Sequence, residues 1–247
     1  MARDGRKRTG RKILAGFVVL VILLVVVGVV LDRVAASVAN RRVTTAVTDA
    51  AHQSNLDPTT VDVELGGFPF LTQLARGKFQ GGRIALGDIA TPVVRVDSVD
   101  LDVHDVTMPT DVLFGEPPHD IRASTIRGTA TIAVTEVAKG LGVKGLTLQS
   151  QNNKLEAKMT VPIPTFGTVV LTGEVTPHVK ANKFWLEVNS LRAGDVEVPP
   201  DALNAISNAL ARGFTLPLPF QIQLDGVRVS SGELLVNATA RNVLLVR

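Results

Sequence analysis

From Ile13 to Leu31 the chain carries nineteen consecutive residues that are apolar or glycine, and the twelve residues before them include Arg3, Arg6, Lys7, Arg8, Arg11 and Lys12. A hydrocarbon core about 30 Å thick is crossed by about 20 helical residues, so this run is long enough to span a bilayer. Basic residues beside a span stay on the cytoplasmic side, which directs everything after Leu31 outward. The expected organisation is a basic cytoplasmic tail over 1–12, a transmembrane signal-anchor over 13–31 and an extracytoplasmic domain over 32–247.

The alternative is a cleavable leader. Ser37, Val38 and Ala39 form a small-x-small pattern at which a peptidase could cut before Asn40, releasing the domain into the envelope. Secretory h-regions usually run about 7 to 15 residues, and the run here is longer, which favours a single-pass anchor with its N-terminus in the cytoplasm. In both cases the domain is exported. A buried helix of a soluble protein would leave the six flanking cations unexplained.

Charge then removes a class of function. The first twelve residues hold six cations against Asp4, so they contribute +5 to a formal net charge of +3 and leave about −2 on residues 13–247. Such a domain has no basic block of the kind that tracks phosphates, and no nucleic-acid partner is expected. Contact with lipid would have to be mainly apolar. The absence of cysteine excludes a disulfide framework, a thiolate zinc site, a cysteine nucleophile and a thioether-linked lipid. Some 200 residues can still build one core without staples.

Along the chain, Asp32 to Leu56 continues the helical spacing, with Val34, Val38, Val43, Ala46, Val47, Ala50 and Ala51 at three- and four-residue steps. Asp57-Pro58 ends it, because proline disfavours helix in the residue before it. The period then changes to two. Val61, Val63 and Leu65 alternate with acids, and Val94, Val96, Val99, Leu101 and Val103 repeat the pattern with a shift at Ser98 that predicts a bulge. Further strands are expected at 129–135, 155–161, 168–175, 184–188, 220–229 and 233–240. A helix opens at Pro200-Asp201, carries Leu203, Ile206 and Leu210, and closes at Arg212-Gly213. A shorter one is expected from Thr135, as cap, through Val137 to Leu141. So many strands with so few helices between them predict an α+β fold with a large antiparallel sheet.

Chemistry is sparse. His52, His104, His119 and His178 are scattered outside any spaced metal or triad motif. Asp100, Asp102 and His104 alternate on a strand and share a face, yet a hard cation wants six to eight oxygen ligands and no calcium-loop glycine spacing is present. This is read as a solvated sheet face, and no metal or cofactor is expected. Glu156 and Glu174 form no recognisable catalytic pair, and neither a nucleophile elbow nor a phosphate-binding glycine loop occurs. The chain is not expected to be an enzyme.

Two aromatic segments remain. Gly66-Gly67-Phe68-Pro69-Phe70-Leu71-Thr72-Gln73-Leu74, continuing to Gly77-Lys78-Phe79, gathers three of nine phenylalanines, and Phe214-Thr215-Leu216-Pro217-Leu218-Pro219-Phe220 is a second cluster. Such side chains are either core plugs or the mouth of an apolar cavity at a sheet rim.

The first of these segments, with the alternating strand ending near Leu101 and the closing runs Gly226-Val227-Arg228-Val229 and Gly232-Glu233-Leu234, resembles the LmeA-like phospholipid-binding family of actinobacterial cell envelopes, from about Arg41 to the C-terminus. The resemblance implies a tubular lipid-binding fold similar to bactericidal permeability-increasing proteins, a long helix packed in a strongly curved antiparallel sheet. It implies non-enzymatic binding of phospholipid or glycolipid acyl chains at the cytoplasmic membrane, in support of lipoglycan (mannan) biogenesis. Phe68, Phe70, Leu71, Leu74 and Phe79 are the first lining or mouth candidates, with Phe214, Leu216, Leu218 and Phe220 second. The competing expectation is a structural scaffold for a membrane glycosyltransferase, its core filled by its own side chains.

Overall fold

The computed structural model describes residues 6–109, 111, 119–163, 167–194, 196–197, 200–215 and 222–246. It opens with α1 (Arg6–Gln53), a single helix through the apolar run and beyond. The side chains from Leu20 to Leu31 are exposed, as a segment whose solvent is lipid would be. Asn55, at a positive φ, turns the chain after α1 and β1 (Asp57–Leu65) runs back along it. Then follow α2 (Phe70–Arg76), β2 (Lys78–Ala90), β3 (Arg95–Thr107), β4 (Ile121–Ala133), α3 (Val134–Gly140), β5 (Leu146–Gln151), β6 (Lys154–Ile163), β7 (Gly167–Lys180) and β8 (Lys183–Val188). The chain closes with β9 (Arg192–Ala193), β10 (Val196–Glu197), α4 (Pro200–Arg212), β11 (Phe214–Thr215), β12 (Gln223–Ser230) and β13 (Glu233–Val246).

The architecture is α+β, with two antiparallel sheets. The first has the order β1-β2-β3-β4-β13-β12, and the second β10-β9-β7-β6-β5, with β8 pairing both β7 and β11. Among the described residues neither closes into a barrel. Helix α1 packs on β1 and α2, at one edge of the first sheet.

The main core is shared by both sheets and both later helices. Leu86, Ile89, Val96, Ile132 and Leu234 of the first sheet meet Leu148, Leu155, Val175, Phe184 and Leu186 of the second, with Val137 of α3 and Leu210 of α4. A second apolar cluster lies at the other end of the first sheet: Val103, Ala123, Ile126, Ile222, Ala240 and Val243. Ile84 packs against both clusters, so apolar contact is continuous along the sheet.

The first sheet bends across its strands. Inward residues normally recur every second position. Here Ala123 and Ile126, Ala240 and Val243, and Val103 and Val106 are three apart. The cross-strand rows remain aligned, Val103 with Ile126 and Ile126 with Ala240, then Val106 with Ala123 and Ala123 with Val243. Between these rows Gly81, Asp105 and Asn242 all have positive φ, a line of local kinks across the sheet. The phase shift expected near Ser98 is also present: Val96 and Val99 both face the core, opposite Ile89 and Leu86. The left-handed residue there is Asp88, on the neighbouring strand. Arg95 grips its carboxylate with two hydrogen bonds, of 2.5 and 2.7 Å, and these hold the Asp88 carboxyl below the ordinary carboxylate pKa.

One local expectation needs correction. The short helix starts at Val134 with Ala133 at its cap position and no side-chain cap, so Thr135 lies inside the helix. Beyond Pro69 the aromatic segment forms α2, from Phe70 to Arg76, closed by Gly77 in the left-handed conformation.

Candidate functional site

The aromatic segment is built against α1. Asn40 Oδ1 accepts a hydrogen bond from the Leu65 N–H at 3.0 Å, and Asp32 Oδ1 accepts one from the Leu71 N–H at 2.8 Å. Eight helical residues separate these acceptors, so from Leu65 to Leu71 the chain descends about 12 Å along α1 toward the apolar run. Asp32 is only 3% exposed. The guanidinium of Arg33 lies over the Phe68 ring, 5.2 Å from its centre.

The rest of the corner is held by backbone and amide bonds. Gly66 N–H donates to Gly81 O at 2.8 Å, Gln80 N–H to Gln73 Oε1 at 2.8 Å, and Met108 N–H to Gly77 O at 2.8 Å. The corner thus joins the β1 end, α2 and the start of β2 to the end of β3.

Within it the five first-rank residues separate. Phe70 is 4% exposed and its ring packs on Phe79, with centroids 5.8 Å apart. Phe79 pairs in register with Val106, which pairs with Ala123, which pairs with Val243, so this aromatic side chain continues the row that forms the second apolar cluster. Leu74 is half-buried. Phe68 and Leu71 are turned outward, 52% and 39% exposed.

The second-rank residues are elsewhere. Phe214 stacks on Phe184, with centroids 5.1 Å apart, and packs against the main core. Among the described residues no ring contact joins this pair to Phe70 and Phe79. Leu216, Leu218 and Phe220 lie outside the described residues.

On the acidic strand face Asp100 is ion-paired. Arg83 Nη2 donates to Asp100 Oδ1 at 2.5 Å, and this bond, more than the charge attraction, raises the Arg83 pKa. Asp102 stands opposite Arg127 in register. Two shallow cavities also occur, one of about 460 Å³ beneath α3 and β5 and one of about 290 Å³ beside the β6–β7 pair. Neither is lined by a residue of the two aromatic segments.

Asp32, Arg33 and Asn40 were missed by sequence reasoning. The available signal was an acid immediately after nineteen apolar residues, a place where an ionisable side chain invites a search for its partner. Asp32→Ala is expected to cost about 1–3 kcal/mol at the corner, because the Leu71 N–H loses its acceptor in a buried place. Asp32→Asn, which keeps an oxygen there, should lose much less. Hydrogen exchange of the α2 segment in the full chain reads the difference, and equal protection in parent and alanine variant would discard the lock.

No curated protein and no solved structure matches this chain. The model of the LmeA-like phospholipid-binding family matches residues 30–239. That match begins before Asp32 and takes in the corner, the main apolar cluster and the first half of β13. With the greater part of its length matched, the chain belongs to the LmeA-like phospholipid-binding family.

Proposed function

We propose that this protein is a membrane-anchored, non-enzymatic phospholipid-binding domain that holds acyl chains along the apolar face of its first sheet. The observation carrying this reading is the continuity of that face: from Phe79 and Val106 through the second cluster to Ile84 and the main core, it starts beside the helix that emerges from the apolar run. Each buried CH₂ of a lipid contributes about 0.8 kcal/mol, so such a face can take a lipid from the bilayer without a charged clamp. Phe70 and Phe79 are the inner wall of the mouth, Leu74 its side, and Phe68 and Leu71 its lip. Phe214 is assigned to the core.

The tail over 1–12 stays in the cytoplasm, α1 spans the membrane through 13–31, and 32–247 form the external domain. Retention of the anchor is supported by Asp32 and Arg33. Cleavage before Asn40 would remove the acceptor of the Leu71 N–H and the cation over Phe68. The envelope role that fits a held phospholipid or glycolipid is support of lipoglycan (mannan) assembly beside a membrane glycosyltransferase.

A second reading, a scaffold for such an enzyme without bound lipid, is favoured by one observation: Ala123, Ile126, Ala240 and Val243 are already buried. The two readings separate by photo-crosslinking of the full chain in nanodiscs containing phospholipid with a diazirine on one acyl chain. Crosslinks on β3, β4 and β13 are expected beside those on α1. Crosslinks confined to α1 would mean that lipid is only its solvent and would leave the scaffold. The intact mass of the same sample reports whether the residues before Asn40 are retained.

A further inference from the structure

We propose that Phe68 and Leu71 are seated in the outer interface of the same bilayer that α1 spans, so that the domain stands on its membrane by the α2 corner. The inference rests on the anchored reading and adds to it a fixed footing. Leu31 is the last residue of the apolar run and Asp32 is the next, so the corner is tied to the helix at the level where it leaves hydrocarbon. A free linker would let the domain tumble above the membrane. Here the buried Asp32 carboxylate and the Asn40 amide fix both the height and the rotation of the corner.

What the corner presents outward fits a lipid surface. Beyond α1, among the described residues, the exposed large apolar side chains are Phe68, Leu71, Val93 and Val170, and two of these four are here. Beside them stand the exposed cations Arg33, at the helix exit, Arg76, in the last turn of α2, and Lys78, which opens β2. Aromatic rings beside long cationic side chains are the composition of the headgroup layer, where rings and aliphatic stems lie in the apolar boundary and the charges reach phosphate. The pairing of Arg33 with Phe68 is one such contact, already formed.

The absence of cysteine makes single-site spin labelling of the full chain direct. Four variants are compared in vesicles of equal phosphatidylcholine and phosphatidylglycerol: Phe68→Cys, Leu71→Cys, Leu24→Cys within the span and Val170→Cys on the exposed second sheet. Each label is read for collision with oxygen, which concentrates in lipid, and with a water-soluble nickel chelate. At Phe68 and Leu71 the oxygen-to-nickel ratio is expected to fall between a high value at Leu24 and a low one at Val170. A ratio equal to that at Val170, with Leu24 still high, would overturn the footing while leaving the anchor intact. Low collision with both reagents at Phe68 would overturn it differently, by placing the ring inside protein. A low ratio at Leu24 would remove the anchor itself, and the footing with it. A high ratio at Val170 as well would mean that the whole domain adheres, which also rejects a footing by this corner.

Discussion

Replacing Phe68 and Leu71 together by aspartate is expected to abolish measurable phospholipid loading while leaving the fold in place. Both side chains are exposed, and substitutions at such positions change stability by about 0.5 kcal/mol or less, which is about 2 °C in melting temperature for a domain of this size. Their loss acts on the encounter with lipid. Moving a phenylalanine and a leucine from water into an apolar environment yields about 1.5–3 kcal/mol each when complete, and realising half of that at an interface corresponds to about ten- to a hundredfold in occupancy. The two introduced carboxylates oppose the same step, because a charged side chain must give up water to enter the lipid boundary. The assay is the crosslinking yield on β3, β4 and β13, with the melting temperature measured on the same preparation. Undiminished crosslinking would remove the lip from the proposed function. Phe70 cannot serve this test: its ring is buried on Phe79, so loss of loading there would not be separable from loss of the corner.

That division within one hexapeptide marks how far the sequence could be read. Gly66 to Leu71 was recognisable as an unusual apolar segment, but Phe68 and Phe70 are equivalent by composition. Only the start of α2, with Phe70 as its first residue, turns one inward and leaves the other out. A seven-residue helix offers too few turns for a periodic signal. The contact that positions the segment, Asp32 to Leu71, spans 39 residues and joins α1 to the first turn of α2. No local pattern encodes such a contact.

Legibility of the fold follows the same physics. The alternation in Val61 to Leu65, the strand through Val99 to Val103 and the later hairpins all appear as strands, because one sheet face is buried and period two survives in the chain. The bounds of α4 agree from Pro200 to Arg212, where proline, the leucine stripe and the closing glycine concur. The strand β2 was not assigned: Gly81, Gly82 and Gly87 interrupt its apolar pattern, and its core-facing Leu86 and Ile89 are three apart. The first half of β4 was lost for a similar reason, with Ala123 and Ile126 three apart. The kinks that bend the first sheet are thus what conceal its strands from a period-two reading.

The same kinks supply the largest expected effect on stability, at Gly81. This residue has φ +121, and a Cβ built on it would lie 1.8 Å from the carbonyl oxygen of Val103, a backbone atom of the neighbouring strand. Its own carbonyl accepts the Gly66 N–H, so it joins the bend of the sheet to the segment that descends along α1. A methyl group there must either push β3 away or rotate Gly81 out of its conformation, and both break the row from Phe79 to Val243. Gly81→Ala is therefore expected to cost at least about 3 kcal/mol, lowering the melting temperature by roughly 6–12 °C. Gly226→Ala is the matched control, since a Cβ on that β12 glycine meets nothing within 4 Å and its φ is ordinary. It should change stability by less than about 1 kcal/mol. Equal melting temperatures for the two variants would show that the sheet end yields freely, and the bend would then lose its place as the element that carries the apolar face to the α2 corner.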